Sequence, residues 1–437
     1  MLAAVGGRYD WSVLPCLIAA SALFLASGAR VASDSSTRPL DLAVIAALGV
    51  IALQMLPLPP ALLDTLSPAT RTLQDAYALE PLAGWRSISI HPAMTRIGLA
   101  LAVAAALVFW AAREAFGRGG TRAAIRLLAW VGFSCSLVSL AQRATAPKTI
   151  YWAWTLPDPR AMPFGPFVDR NHLATWLVLA ISVVAGYLVM RTRVHMDARG
   201  VHGGRASIVA LSDGEAIGML GCLGAMLITL AATLSRSGFI ALVVSATVGT
   251  TLARRDRRQG LRLGAAAAVA VIAVAAWLNA EGLVQRLQST LGAAAGGRLA
   301  IWRETLHIIG DFPLAGTGAG TFADAMFIDQ RTATQVLFNN AHDEYLQLLT
   351  EGGVTLLIVV VAGLVLLIRT ARARLAGDDG PSRFVRVGAC AALAGIAAQS
   401  IWETGLRSPA NLLLAAILAA IAVRPLDRRE SGEMPAA

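Results

Sequence analysis

His342 is the residue in this sequence best suited to move a proton. It stands in the run Asn339–Asn340–Ala341–His342–Asp343–Glu344–Tyr345, and a neutral imidazole can accept a proton from an attacking hydroxyl. It could equally orient an acceptor or satisfy a helix end. Two arginines, Arg236 and Arg298, offer rigid, permanently charged forks that suit phosphate oxygens. Arg236 also reads as a headgroup anchor or helix-end cation, and Arg298 as the charged face of an amphipathic helix. A third polar group, Asp169–Arg170–Asn171–His172, crowds the mouth of an apolar run, where it would serve a site or cap a helix.

The elements that must position these residues are membrane helices. Of the 437 residues 56% are hydrophobic and only 15% charged, and the mean hydropathy of +0.62 lies outside the range of ordinary soluble domains. Apolar runs long enough for a bilayer core recur near 11–29, 40–57, 96–112, 124–142, 172–190, 215–234, 238–253, 263–280, 354–368, 387–402 and 409–423. The expected fold is all-α: a polytopic transmembrane helical bundle of about 11 spans, with ten to twelve as the range. Residues 1–423 then form one integral-membrane domain that includes a largely helical loop, 281–353, between the eighth and ninth spans. Residues 424–437 form a tail.

The net charge of +10 invites a nucleic-acid reading, but its distribution refuses it. The basic residues gather at Arg113/118/122/126, Arg191/193/199/205, Arg254/255/257/258/262, Arg369/372/374/383/386 and Arg424/428/429. Those places alternate with the spans so that all lie on one side of the membrane, which makes that side cytoplasmic. Segments 58–95, 143–171, 235–237, 281–353 and 403–408 then face the other compartment, and the N-terminus starts there too. The four cysteines fall inside spans without metal-ligand spacing, and no cluster of ligands implies a metal.

The 281–353 loop carries the most pattern. Leu299, Trp302, Leu306 and Ile309 recur at helical spacing, and Phe312–Pro313 ends that helix. Gly316, Gly318 and Gly320 make a turn-rich stretch; because it follows a helix and not a strand, it is no dinucleotide loop. Asn339 and Asn340 are the expected N-caps of the next helix. Asp343 and Glu344 would complement its dipole, and Tyr345, Leu346 and Leu349 would share a face with His342. Gly352–Gly353 would loosen the chain before the ninth span.

Four pieces together resemble the O-antigen ligase and polymerase family: Asp169–Arg170–Asn171–His172, Leu234–Ser235–Arg236–Ser237–Gly238, Gly297–Arg298 with Trp302, and Asn340–Ala341–His342 through Gly352–Gly353. The resemblance implies transfer of a glycan from an undecaprenyl diphosphate carrier to an acceptor hydroxyl, at the periplasmic face of the bacterial inner membrane. It implies inversion at the anomeric carbon, without a metal or other cofactor. The partners implied are the carrier-linked donor, a lipid A-core or glycan acceptor, and membrane lipids. In that reading His342 is the catalytic residue, and Arg236 and Arg298 hold the donor diphosphate. Arg170, Asn171, His172, Asn340 and Tyr345 are further substrate contacts. A polymerase acting on carrier-linked repeat units fits the same residues. A multi-span solute transporter is the rival from another class, though the spans hold almost none of the mid-membrane ionisable groups such proteins use.

Overall fold

A computed structural model describes residues 5–7, 9–77, 84–156, 163–199, 214–254, 295–331 and 338–425, with scattered positions between 258 and 269. The expected eighth span (263–280), the first part of the following loop and the tail beyond Pro425 lie largely or wholly outside these residues.

The chain is all-α, as expected. Among the described residues seven helices are long and apolar enough to cross a membrane. They include α5 (Pro92–Gly117), α6 (Thr121–Thr145), α7 (Arg170–Arg199), α8 (Gly214–Thr233), α9 (Arg236–Ala253) and α12 (Glu344–Ala376). The seventh is the Asp10–Ser27 stretch that contains α1 (Val13–Ser27). Three shorter helices occupy further expected spans: α2 (Arg38–Leu53), α13 (Arg383–Gln399) and α14 (Pro409–Val423). Outside the bundle lie α3 (Pro60–Leu66) and α4 (Pro68–Tyr77) in the first loop, with α10 (Ala295–Asp311) and α11 (Phe322–Asp329) in the long one.

Helix α7 is the axis of the bundle. Leu173, Ala174, Leu177, Val178, Leu179, Ala180, Val183 and Val184 are all fully buried, so its apolar residues face neighbours all round rather than along one stripe. It packs on α8, α9 and α13. The approach to α13 is close because it runs over glycine: a Cβ on Gly388 would sit 2.6 Å from the Ser182 carbonyl oxygen. In lipid, where apolar burial alone does not drive association, such small-residue contacts supply the packing.

The two ends of the bundle differ in charge. At one end Arg113 forks onto Asp41 (2.7 and 2.8 Å), Arg374 meets Asp34, Arg191 meets Glu215 and Arg386 meets Asp378. Among the described residues, the basic places represented by Arg113, Arg191, Arg374 and Arg386 thus collect at one end. The other end gathers Asp169, His172, Arg298, His342 and Glu403. The N-terminus begins at this second end: Ser408 donates to the Gly6 carbonyl (2.9 Å), and Gly6 abuts Phe167.

Two local expectations change. The N-cap of α12 is Asp343, not Asn339 or Asn340; its Oδ1 accepts from the Tyr345 and Leu346 amides (2.8 and 2.9 Å). His342 therefore lies before the helix and does not share a face with Tyr345, Leu346 and Leu349. Its backbone is left-handed (φ 51°), a conformation that a helical residue cannot hold and that non-glycine residues adopt at a cost. The Gly352–Gly353 pair does more than loosen the chain. Gly353 (φ 61°) breaks the helical path inside α12, so Val354 and Thr355 donate instead to the Pro313 and Leu314 carbonyls (2.8 and 3.2 Å).

Candidate active site

The His342 segment is held from three directions. From α10, Trp302 donates its indole N–H to the Ala341 carbonyl (3.1 Å). From α12, the Gln347 side-chain oxygen accepts from the Ala341 amide (3.1 Å), and Asp343 caps the helix that follows. From the turn after α13, the Ser400 carbonyl accepts from the Glu344 amide (2.9 Å). These bonds flank His342 on both sides and fix where its ring points.

That ring meets a carboxylate the sequence reading had not singled out. His342 Nδ1 lies 3.2 Å from Glu403 Oε1, and the Glu403 side chain is fully buried. Its second oxygen, Oε2, accepts no hydrogen bond among the described residues; Arg298 Nη2 stands 3.8 Å from it. Burial alone would push the Glu403 carboxyl up. The hydrogen bond and charge of His342, with His172 and Arg298, outweigh that and hold it below its usual value. The same hydrogen bond raises His342 above its ordinary 6.5 against partial burial. An ionised carboxylate only accepts, so Nδ1 carries the proton in the neutral ring and Nε2 keeps a lone pair. A buried acid, an oriented imidazole and a guanidinium are thus assembled at one end of the bundle.

The short connection that carries Glu403 is pinned further along by an ion-pair cluster. Arg407 pairs with Glu351 (2.6 Å) and Glu344 (3.2 Å), and the Leu406 amide donates to Glu344 (3.0 Å). The glycine run of the long loop packs against this cluster. The Gly318 amide donates to the Glu351 carbonyl (3.0 Å) and the Gly320 amide to its carboxylate (2.9 Å). Gly316 (φ 70°) must be glycine here, since a Cβ would meet the Glu351 backbone at 2.4 Å. The run is a docking strip for α12, and its Gly318 and Gly320 amides are taken up by Glu351. Gln54, at the end of α2, bridges the same strip to Glu351.

The other expected residues divide. His172 lies with the group: one ligand atom each from Asp169, His172 and Glu403 falls within a 4.8 Å cluster. Two carboxylates and an imidazole could hold a divalent cation, although Arg298 and His342 already offset the buried carboxylate's charge. Asp169 also accepts from the Asn171 amide (2.7 Å), so it caps α7. Arg170 and Asn171 are half-buried on the first turn of α7. Asn340 lines a cavity of about 90 Å³ with His172 and Arg407. Tyr345 spends its hydroxyl on the Ala397 carbonyl (2.7 Å), joining α12 to α13. Arg236 occupies the exposed first position of α9, behind the N-cap Ser235. Its turn is tied to the site through Ser237, which accepts from Gln399 (3.3 Å), and Gln399 in turn accepts from Thr175 on α7 (3.2 Å).

Residues 221–361 match the family model described as O-antigen ligase. This stretch, about a third of the chain, is similar to that family. It contains Arg236, Arg298 and His342, and it ends before Glu403. The match supports an enzyme of membrane glycan transfer, of the ligase or polymerase type, in a multi-pass membrane protein. No curated protein matches the chain as a relative. Glu403 carried one faint sequence signal: it is the only acid in the short connection 403–408, next to otherwise apolar helices.

Proposed function

We propose that this protein transfers an oligo- or polysaccharide from an undecaprenyl diphosphate carrier to an acceptor hydroxyl, with inversion, at the periplasmic face of the bacterial inner membrane. The observation that carries the reading is the His342–Glu403 hydrogen bond, beside Arg298, in a chain with an O-antigen ligase stretch. The acceptor hydroxyl attacks the anomeric carbon of the donor sugar. His342 Nε2 takes its proton, and the bond from that carbon to the diphosphate oxygen breaks. Glu403 fixes the imidazole tautomer and steadies the charge that the ring gains. Arg298 and Arg236 meet the negative charge developing on the diphosphate, the role a metal would otherwise fill. His172, Asn340, Arg170, Asn171 and Tyr345 form the rim available to the sugars. Residues 1–423, with the loop 281–353, act as one domain.

The test is transfer of carrier-linked glycan in membranes, with lipid A-core and a second carrier-linked chain offered as separate acceptors. His342→Ala is expected to lower the rate by about a hundredfold or more, and Arg298→Ala by about tenfold or more, with expression unchanged. Chelation by EDTA is expected to leave the wild-type rate intact. Full transfer by His342→Ala would overturn the assignment. The acceptor that is consumed separates ligase from polymerase.

A further inference from the structure

The end of the bundle opposite His342 holds a cavity of about 450 Å³ that the transfer reaction does not use. Met190, on its wall, is eighteen residues along α7 from His172, so the two lie roughly 27 Å apart at the helical rise. Three arginines line the cavity, Arg122, Arg126 and Arg424, and none of its lining residues is acidic. Arg424 is buried, with Nη1 donating to Thr121 Oγ1 (3.2 Å). The nearby Arg386, itself fully buried, lies close enough to Arg424 for their charges to repel.

The local sequence opposes itself unless an anion is present. Helix α6 starts at Thr121 on this wall. Its N-cap is Gly120 (φ 80°), no side chain caps it, and its first turn holds no acid. Arg122 therefore sits at the positive end of the helix dipole, the reverse of the favoured arrangement. The Gly119–Gly120 turn keeps the approach open: nothing lies within 4 Å of where a Gly119 Cβ would be. Among the described residues, Glu215, 3.4 Å from Arg126, and Asp378, bound to Arg386, face this region, and each is also engaged by another basic group or hydroxyl.

We propose that this cavity binds a phosphate group, with uncapped amides of α6 and the Arg122, Arg126 and Arg424 guanidiniums as its donors. A phospholipid head group and free inorganic phosphate offer the same chemistry, and the volume admits a glycerophosphate. The site is independent of the transfer reaction. It would anchor α6, α7 and α14 to one leaflet.

The experiment titrates delipidated full-length protein in detergent with phosphatidylglycerol and, separately, with inorganic phosphate, reading bound ligand by native mass spectrometry and thermal shift. The exposed pair Arg122→Ala/Arg126→Ala is compared with Arg369→Ala/Arg372→Ala, which removes equal charge at the same end away from the cavity. The expected result is about tenfold weaker phosphatidylglycerol binding in the first variant alone. A phosphate-induced shift lost in that same variant, without a lipid effect, assigns the site to free phosphate. Equal losses in both variants, or none in either, would overturn the proposal.

Discussion

Two regions of this bundle, the Arg113, Arg374 and Arg386 pairs and the surroundings of Arg298, use arginine in opposite ways. At the end that collects the basic segments, Arg113, Arg374 and Arg386 are each matched to an acid, and the first two pairs join segments far apart in sequence. Arg386 also donates to the carbonyls of Ile421, Ala422 and Arg424, so it closes the C-terminus of α14 where a cation suits the helix dipole. At the other end Arg298 stands 3.8 Å from a buried carboxylate oxygen that accepts no hydrogen bond among the described residues, and it is 39% exposed. The first kind of arginine finishes a structure. The second leaves charge facing a place a substrate can reach. Paired groups rigidify the helices they join, and a charge facing an accessible place marks a site.

The largest effect that would break this contrast concerns Arg386. Arg386→Met leaves Asp378 and three helix-end carbonyls without their cation, and breaking a buried pair in this way costs about 3–5 kcal/mol. A drop in thermal midpoint and yield in detergent is expected, while the transfer rate per folded molecule stays at the wild-type level. A selective loss of transfer by well-folded Arg386→Met would show that the two ends are not separable.

Glu403→Gln comes next, and it sharpens the contrast through pH. Glu403 raises the His342 pKa, so the neutral ring needed to take a proton appears only above 6.5. With glutamine in place the acid limb of the pH–rate profile moves to lower pH, and the maximal rate falls by about tenfold or more as the tautomer is no longer fixed. The stability signs follow. Protonated His342 stabilises fully below 6.5 and loses this as pH rises through its raised value. Ionised Glu403 stabilises above 4.5 and loses this as pH falls through its depressed value. The gap in midpoint between wild type and Glu403→Gln should be widest near pH 5–6 and shrink on either side. An unmoved acid limb would remove Glu403 from the reaction.

The same contrast explains what could be read in advance. The all-α membrane architecture was legible because bilayer thickness forces long apolar runs, and the basic end because arginine resists translocation; both are one-dimensional signals. His342 and Arg298 were legible as members of local strings. Glu403 was not, because its meaning comes from a partner 61 residues earlier in the chain, brought close by the turn after α13. The cap of α12 was misread for a related reason. Asn339, Asn340 and Asp343 are all good caps, and the choice fell to Asp343 because His342 takes a left-handed backbone that only the assembled loop imposes. The glycine run read correctly as a turn, but its purpose lay in Glu351 and Gln54.

That cap provides the smallest test. Asp343→Ala removes the acceptor for the Tyr345 and Leu346 amides and should cost about 1 kcal/mol of stability, a shift of a few degrees in thermal midpoint. Ser235→Ala, which removes the acceptor for the Gly238 amide at the start of α9 (3.2 Å), should cost a similar amount. The two differ in consequence. Asp343 adjoins the strained residue, so losing its cap frees His342 to relax from φ 51° and draws Nδ1 away from Glu403. Asp343→Ala should therefore lower the transfer rate more than its stability loss explains, and Asp343→Asn, which keeps an acceptor oxygen, should restore most of that rate. If Asp343→Ala and Ser235→Ala proved equal in rate as well as in midpoint, the backbone strain at His342 would have no part in holding the imidazole.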